Sequence, residues 1–590
     1  MLLNPELKTW LKKFHEFHGR PLRVLHIGNI ASNAYINAKL QRKIGVDSYL
    51  IAETDTYVMN SPEWEDSDFE GNWEDDCNPN WAKIDLKGYK RPEWFISGRL
   101  EACLVNITAR MCTPPYVPSQ VEFLIKGLYI TLLFIFSFVF NITFKFFKNL
   151  LYIATLFTYN IVFIVVKFIV NIFHCITRTF ISLFNLIKGF FVSIIYVCIV
   201  IASVLIITLK LPVNKEKIYN KYIKIVNFSK ILLKKFLPTT SFLKNALVSF
   251  RSYLSNFKLM QNSHTSSSPL TEEFSRLFPD RKDKLTEKDT LPFIFSSHIW
   301  KKIFSHFDLV QCYGPHPIWG LLSQNTKYVA LEHGTLRDFT LKDNPMHRLI
   351  ALAYRNAKHT FITNGDCLEY AKKINLENYS AMIHPLDLEP FEKVNQEDVD
   401  YIRNQYKADL LLFCPIRHDW EIKGTHIVLQ SLPHIIAKTD KSVMLILCEW
   451  GQEVNRSKKL INELKIQKYV KWVRPLPKIK LAKYLKAADV ILDQMALPHF
   501  GGTAPQSLAA GTPVIMSYKP ESTAWMFPEP APILPAFNAE EISEKVMQAL
   551  DPEWRKKFKQ QAKEWIYKYH SPKFLLNEHL KVYKKVLESD

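Results

Sequence analysis

Between residues 127 and 209 the chain carries four apolar runs, 127–144, 149–166, 168–187 and 189–209. They are punctuated by the basic positions Lys145, Lys148, Lys167 and Lys188, and bracketed by Lys126 and Lys210. Each run holds 18 to 21 residues, the length needed to cross the hydrocarbon of a bilayer. The last is the cleanest, and the third is interrupted by His174 and Arg178. The joints are too short for comfortable hairpins, which leaves two arrangements open: two or four true spans, or long helices lying partly in the interface with snorkelling lysines. If the sequences on either side build one domain, the number of crossings is even, and the lysines on both flanks place those ends in the cytosol.

The charge follows the same tract. Of a formal net charge of +19, most comes from residues 121–260, where 17 Lys and Arg face only Glu122 and Glu216. Positive charge set beside the most apolar part of a chain fits a membrane surface better than nucleic acid. Residues 211–260 continue as a basic amphipathic segment, and 261–290 read as a polar linker. Residues 1–20 are polar, with no apolar core of a secretory signal. The nine cysteines are scattered without a CxxC pair, so neither a zinc site nor a disulfide framework is expected, and a reducing compartment is the simpler reading.

On both sides of the tract the pattern is α/β. Residues 22–27 read as a strand, Gly28 as its turn, 31–43 as a helix and 46–52 as a second strand. This opens a Rossmann-like domain, but without the GxGxxG of a dinucleotide site. Residues 61–81 are acidic and aromatic, read as a solvated surface loop, or else as a loop facing sugar hydroxyls. The pattern resumes with strands at 307–312, 327–331 and 361–364, and residues 381–387 lead into a hinge. A second α/β domain follows. Its first strand is 410–415, with Arg417 and Lys423-Gly424 in the next loop. The expected divisions are 1–120 and 291–395 for one N-terminal domain, 121–210 for the apolar insertion and 211–290 for the basic segment and linker. Residues 396–550 form the C-terminal domain, and 551–590 the closing helices.

Residues 489–515 read as a strand, a loop with Gly501-Gly502, a small-residue helix from Ala504 to Ala510, a Gly511 cap and a second strand. A helix opening on a Gly-Gly loop offers free N–H groups to an anion. An ordinary crossover remains the alternative. Asp387 and Asp493 read as caps or turn residues, and no DxD stands out as a metal clamp.

In order, Arg417-His-Asp-Trp-Glu-Ile-Lys423-Gly424, then Ala488-Asp489-Val490, Phe500-Gly501-Gly502 and Gln506-Ser-Leu-Ala-Ala-Gly511-Thr-Pro513-Val514 resemble the GT-B glycosyltransferases, specifically the retaining family-4 type. The segment from His26 to Ala31 and the Glu332-His333-Gly334 loop are similar to that family's N-terminal motifs. The resemblance implies two Rossmann-like domains facing across a cleft and transfer from a nucleotide-sugar donor. Under it, Arg417 and Lys423 stabilise the departing diphosphate, and His333 meets the donor sugar. Gly424, Gly501, Gly502, Thr503 and Gln506 line the donor, with Gly28 allowing close approach. No metal is called on, and no nucleic acid. The insertion suggests a lipid-linked or surface-glycan acceptor, membrane lipids as partners and catalytic domains on the cytoplasmic face. One departure stands out. The two acids of the family's E-x7-E segment fall on Pro498 and Gln506, and Gln506 can hydrogen-bond a ribose hydroxyl but carries no charge. That loss motivates the alternative of a catalytically degenerate nucleotide-sugar-binding or membrane scaffold protein.

Overall fold

The computed structural model describes residues 3–53, 57–77, 79–111, 269–325, 327–339, 343–498 and 500–589. The apolar tract, most of the basic segment and the polar linker up to residue 268 lie outside the described residues, as does His499. Among the described residues, no helix is long and apolar enough to cross a membrane.

Two parallel sheets carry the fold. In the first, β1 (Arg23–Ile27), β2 (Asp47–Ala52), β3 (Phe95–Ser97), β4 (Leu309–Tyr313), β5 (Tyr328–Leu331), β6 (Thr360–Ile362) and β7 (Tyr379–Ala381) are ordered β3-β2-β1-β4-β5-β6-β7. In the second, β8 (Leu410–Cys414), β9 (Val443–Cys448), β10 (Val470–Val473), β11 (Val490–Leu492), β12 (Val514–Met516) and β13 (Leu534–Pro535) are ordered β10-β9-β8-β11-β12-β13. β4 and β8 are buried along their whole length. Near-continuous runs such as Leu410–Cys414 are what a strand covered by helices on both faces requires. β1 pairs with β4 from Val24↔Leu309 to Ile27↔Cys312, so segments on the two sides of the insertion are hydrogen-bonded neighbours in one sheet. Each sheet reverses its strand order once, between β1 and β4 and between β8 and β11. In doubly wound sheets such reversals leave a crevice at the carboxyl ends of the strands.

Three elements differ from expectation. Residues 269–290, expected as the end of a polar linker, carry helix Pro269–Leu277, and Phe274, Phe278 and Leu285 are buried in the first domain's core. Residues 58–84 are not a solvated loop: Val58, Trp64, Phe69, Trp73 and Ile84 close a small core of their own. Trp64 meets Trp73 edge-on, with centroids 5.5 Å apart. Its aromatics are spent on each other, while its carboxylates turn to the lysines of helix Lys478–Ala487 in the second domain. There Lys478 lies 4.0 Å from Glu65, Lys480 3.4 Å from Glu70 and Lys483 3.6 Å from Asp68. Arg474 donates to Asn72 (2.8 Å) and covers the Trp73 ring.

The third is the last helix, Pro572–Glu588, which returns to the first domain. Gln41 donates to the Tyr583 hydroxyl at 3.0 Å, and that hydroxyl donates to Gln311. His26 bridges Tyr313 (Nδ1, 2.8 Å) and Gln41 (Nε2, 3.0 Å). These groups are buried, and every bond lost there leaves a polar atom without water. Tyr583→Phe leaves Gln41 and Gln311 each short of a partner. It should cost about 1–3 kcal/mol, read as a lower urea midpoint.

Burial holds His26 down to about 4 and His579 to about 3. Both are neutral when folded and gain protons near their usual value of about 6.5 once unfolded. Their contribution is therefore full above pH 6.5 and lost as pH falls from there toward 4. The thermal midpoint should decline across that window and stay level from pH 6.5 to 8.

Candidate functional site

β8 ends at Cys414, and its loop is folded back tightly. The amides of Lys423 and Gly424 donate to the Asp419 carbonyl at 2.9 and 3.0 Å, and the Ile422 amide to the Asp419 carboxylate at 2.9 Å. Trp420 staples the loop to the following segment. Its ring stacks on His426, lies under the Arg456 guanidinium at 3.8 Å, and its indole N–H donates to Ser457 Oγ at 3.1 Å. Gly424 has φ +66°, and a Cβ there would stand 2.6 Å from the Ala496 backbone nitrogen. The loop after β8 therefore locks against the loop after β11, and the Met495 amide donates to the Lys423 carbonyl at 2.8 Å.

This interlock puts the Lys423 ammonium at the reversal of the second sheet. It donates to Gln494 Oε1, immediately after β11. Burial pushes its pKa down, the Asp493 carboxylate beside it pulls it up, and Arg417 and Arg337 push it down again. Asp493 is itself buried; burial raises its pKa, while Lys423 and the amides of Gln494 and Ala504 lower it. Asp493 Oδ1 accepts from the Gln494 amide at 2.8 Å, and its Oδ2 is buried without a hydrogen-bond partner; Ala504 lies in the first turn of helix Thr503–Ala510. Asp493, expected as a turn residue, is thus part of the charge arrangement. Arg417 stands at the mouth, its side chain 42% exposed, with Nε and Nη2 both on Asp419 Oδ2 at 3.2 and 3.1 Å.

The glycines divide into two kinds. Gly28 (φ +84°) sits at the reversal of the first sheet, where a Cβ would be 2.3 Å from His316 Nδ1. The His316 imidazole, held by the Tyr313 carbonyl at 2.8 Å, fills that crevice. Gly28 and Gly424 are accounted for by contacts within the chain. Gly501 and Gly502 are not. Neither has a positive φ, a Cβ on Gly501 would meet nothing within 4 Å, and one on Gly502 would meet only Gln506 Nε2 at 3.7 Å. Gly501, Gly502, the half-buried Thr503 and Gln506 therefore border open space at a helix start. Pro498 is half-buried, and Phe500 anchors the loop among Tyr518, Phe527, Trp565 and His570.

From the first domain, His333 follows β5. Asn33 Nδ2 donates to its Nδ1 at 2.9 Å, so the ring proton sits on Nε2, and burial pulls its pKa to about 4. Glu332 beside it is buried and takes the Cys367 thiol at 3.2 Å; burial raises its pKa. Arg337 forms a two-pronged pair with Asp366 at 2.7 and 2.9 Å. His384, after β7, lies with its ring centroid 5.1 Å from that of His333 at 88°. Its pKa is held well down, by burial first and then by the nearness of His333, His570 and Lys423. The structure thus puts Lys423, Arg417, Gly424, Gly501, Gly502, Thr503 and Gln506 in the segments that follow the neighbouring central strands β8 and β11. His333 belongs to the first domain, where His384 adjoins it within reach of the Lys423 charge. Gly28 is taken up by His316. Among the described residues, no group of three or more His, Cys, Asp or Glu is arranged to hold a metal ion.

Residues 400–565 match the family model described as Glycosyl transferases group 1. The matched segment holds Arg417, Lys423, Gly424, Gly501, Gly502, Thr503 and Gln506, and leaves out His333 and Gly28. A D-inositol 3-phosphate glycosyltransferase from Corynebacterium urealyticum is 32% identical over 100 residues, which is 16% of this chain and 24% of that protein. The chain thus spans about a quarter of the length of that curated relative. Among solved structures, a glycosyltransferase from Rickettsia africae is similar over 55% of this chain and 89% of its own, at 16% identity and a TM-score of 0.41. Sucrose-phosphate synthase from Thermosynechococcus elongatus covers 50% of this chain and 80% of its own, at 16% identity and 0.40. HepE of Anabaena, solved with UDP and glucose, covers 50% and 81%, at 14% and 0.40. Scores this low add nothing to the two strand orders already described.

The glycine contrast has a direct consequence. Gly424→Ala forces a side chain into a left-handed turn and onto a backbone nitrogen. It should cost about 1–3 kcal/mol of stability. Gly501→Ala should stay within about 0.5 kcal/mol of the parent chain. Parallel thermal or urea unfolding of the two variants checks both.

Proposed function

We propose that this chain transfers a sugar from a nucleotide-sugar donor. The observation that carries the reading is Lys423. It is a half-buried ammonium at the strand-order reversal, donating to Gln494 beside the buried Asp493, and the glycines before the next helix border open space. A departing diphosphate needs fixed positive charge and N–H groups in a place poor in water. Lys423 supplies a point charge, Arg417 a planar fork at the mouth that exchanges Asp419 for phosphate oxygens, and Thr503 and its neighbours a helix start. Gln506 reaches a ribose hydroxyl. The match of residues 400–565 to group 1 glycosyl transferases supports the same reading.

In the reaction, the bond from the sugar's anomeric carbon to the diphosphate oxygen breaks, and a bond to the acceptor oxygen forms. The acceptor proton passes to the departing diphosphate if both groups use one face of the sugar, the retaining course. That course asks for no carboxylate where Pro498 and Gln506 stand. His333 Nε2–H faces this event as a neutral hydrogen-bond donor from the first domain. With Lys423, Arg417 and backbone amides countering the diphosphate charge, the mechanism calls on no metal. The apolar and basic residues 121–260 motivate a lipid-linked or glycan acceptor, binding to membrane lipids, and catalytic domains on the cytoplasmic face.

The test uses the full chain purified in detergent, offered UDP-, GDP- and ADP-sugars, with release of nucleoside diphosphate as the readout. One donor class should turn over. Lys423→Met should lower kcat/KM by roughly 10²–10³-fold, and Arg417→Ala by a smaller factor because its pairing is more exposed. Binding of a nucleoside diphosphate without turnover of any donor would favour the degenerate, binding-only protein. Equal turnover in both variants would contradict the site.

A further inference from the structure

His384 has a side-chain nitrogen with nothing to do. Its Nε2 is buried and has no hydrogen-bond partner, and the residue is only 9% exposed. An unpaired polar atom in such a place is costly, and a site for a ligand is one of the few reasons to keep it. The backbone that carries the ring is held in place. It follows β7 in a stretch where the Met382 amide donates to the Ile362 carbonyl at 2.9 Å, and its neighbours Ile383 and Leu386 are buried. It meets His333 edge-on at 5.1 Å and lies within reach of the Lys423 charge from the other domain. The cationic and N–H groups suited to a diphosphate all belong to the second domain. Facing them, the first domain presents two neutral imidazoles. A neutral imidazole can accept from one hydroxyl or donate to another, which suits the uncharged part of a nucleotide sugar rather than its phosphates.

We propose that His384 is a specificity-determining contact for the transferred sugar, its Nε2 hydrogen-bonding a sugar hydroxyl beside His333. The proposal rests on the glycosyl-transfer reading and adds to it which wall of the cleft reads the sugar. A site built to hydrogen-bond a hydroxyl discriminates strongly against a substrate that presents it differently.

The test compares the full chain with His384→Ala and His384→Gln. The probes are UDP, GDP and ADP alone, and their glucose, galactose and mannose derivatives. Nucleoside diphosphate affinity should stay within about twofold, as no phosphate contact is removed. The extra affinity contributed by the sugar, and kcat/KM for the preferred donor, should fall about tenfold or more in His384→Ala. Discrimination between glucose and galactose should narrow, and His384→Gln should recover part of the loss. If the parent chain binds a nucleoside diphosphate and both variants match it with every sugar donor, the proposal is wrong while the glycosyl-transfer reading stands. Equal losses for the bare diphosphate and its sugar derivatives also overturn it, as a phosphate or scaffold role. A parent chain that binds none of the probes removes the reading and the proposal together. Thermal midpoints accompany each titration, and His384→Gln carries the test if His384→Ala does not fold.

Discussion

A half-buried lysine keeps a partner for its ammonium, and the arrangement around Lys423 is organised by that need. Its ammonium reaches Gln494 and lies beside Asp493, both directly after β11, while its own loop descends from β8. Those strands are neighbours only because the sheet reverses its order there, with Val490 opposite Leu412. The charge, the crevice and the helix start at Thr503 are therefore consequences of one topological event.

The corresponding reversal in the first sheet has been used differently. There His316 fills the space above Gly28, so the two Rossmann-like halves are not equivalent binding sites. What the first domain brings to the cleft is a pair of neutral rings, His333 fixed by Asn33 and His384 fixed by its hinge. The two domains are joined by more than that hinge. The acidic residues of the 58–84 unit meet the Lys478–Ala487 helix, and Pro572–Glu588 returns to the first sheet. Exposed ion pairs are individually weak. These sit on the packed aromatic core of residues 58–84.

Much of this was legible in the sequence, for definite reasons. Runs such as Leu410–Cys414 and Val443–Cys448 are apolar enough to mark strands covered on both faces. Arg417, Lys423-Gly424 and Gly501-Gly502 could be placed because each lies in the loop that follows such a strand. The helix closed by Gly511 was equally plain, with its left-handed cap. What the sequence could not reveal is contact between distant segments. Asp493 looks like a turn residue until Lys423 stands beside it. His384 looks like part of a hinge until His333 and Lys423 approach. Gly28 reads as open to a ligand until His316 occupies the place. The 58–84 unit misleads for a related reason. Its tryptophans and carboxylates alternate too irregularly to show a core, and its basic partner helix lies some 400 residues further on, with Asn72 bonded to Arg474.

In the proposed complex the diphosphate of a donor is held at the β8/β11 reversal and its sugar at the imidazole wall of the first domain. The most direct measurement is an experimental structure of the full chain with whichever of UDP-, GDP- or ADP-glucose it binds. The account predicts phosphate oxygens within hydrogen-bonding distance of Lys423 Nζ and the Gly502–Thr503 amides, with the sugar ring toward His333 and His384. A nucleotide seated instead above Gly28, or a diphosphate with no contact to Lys423, would contradict it.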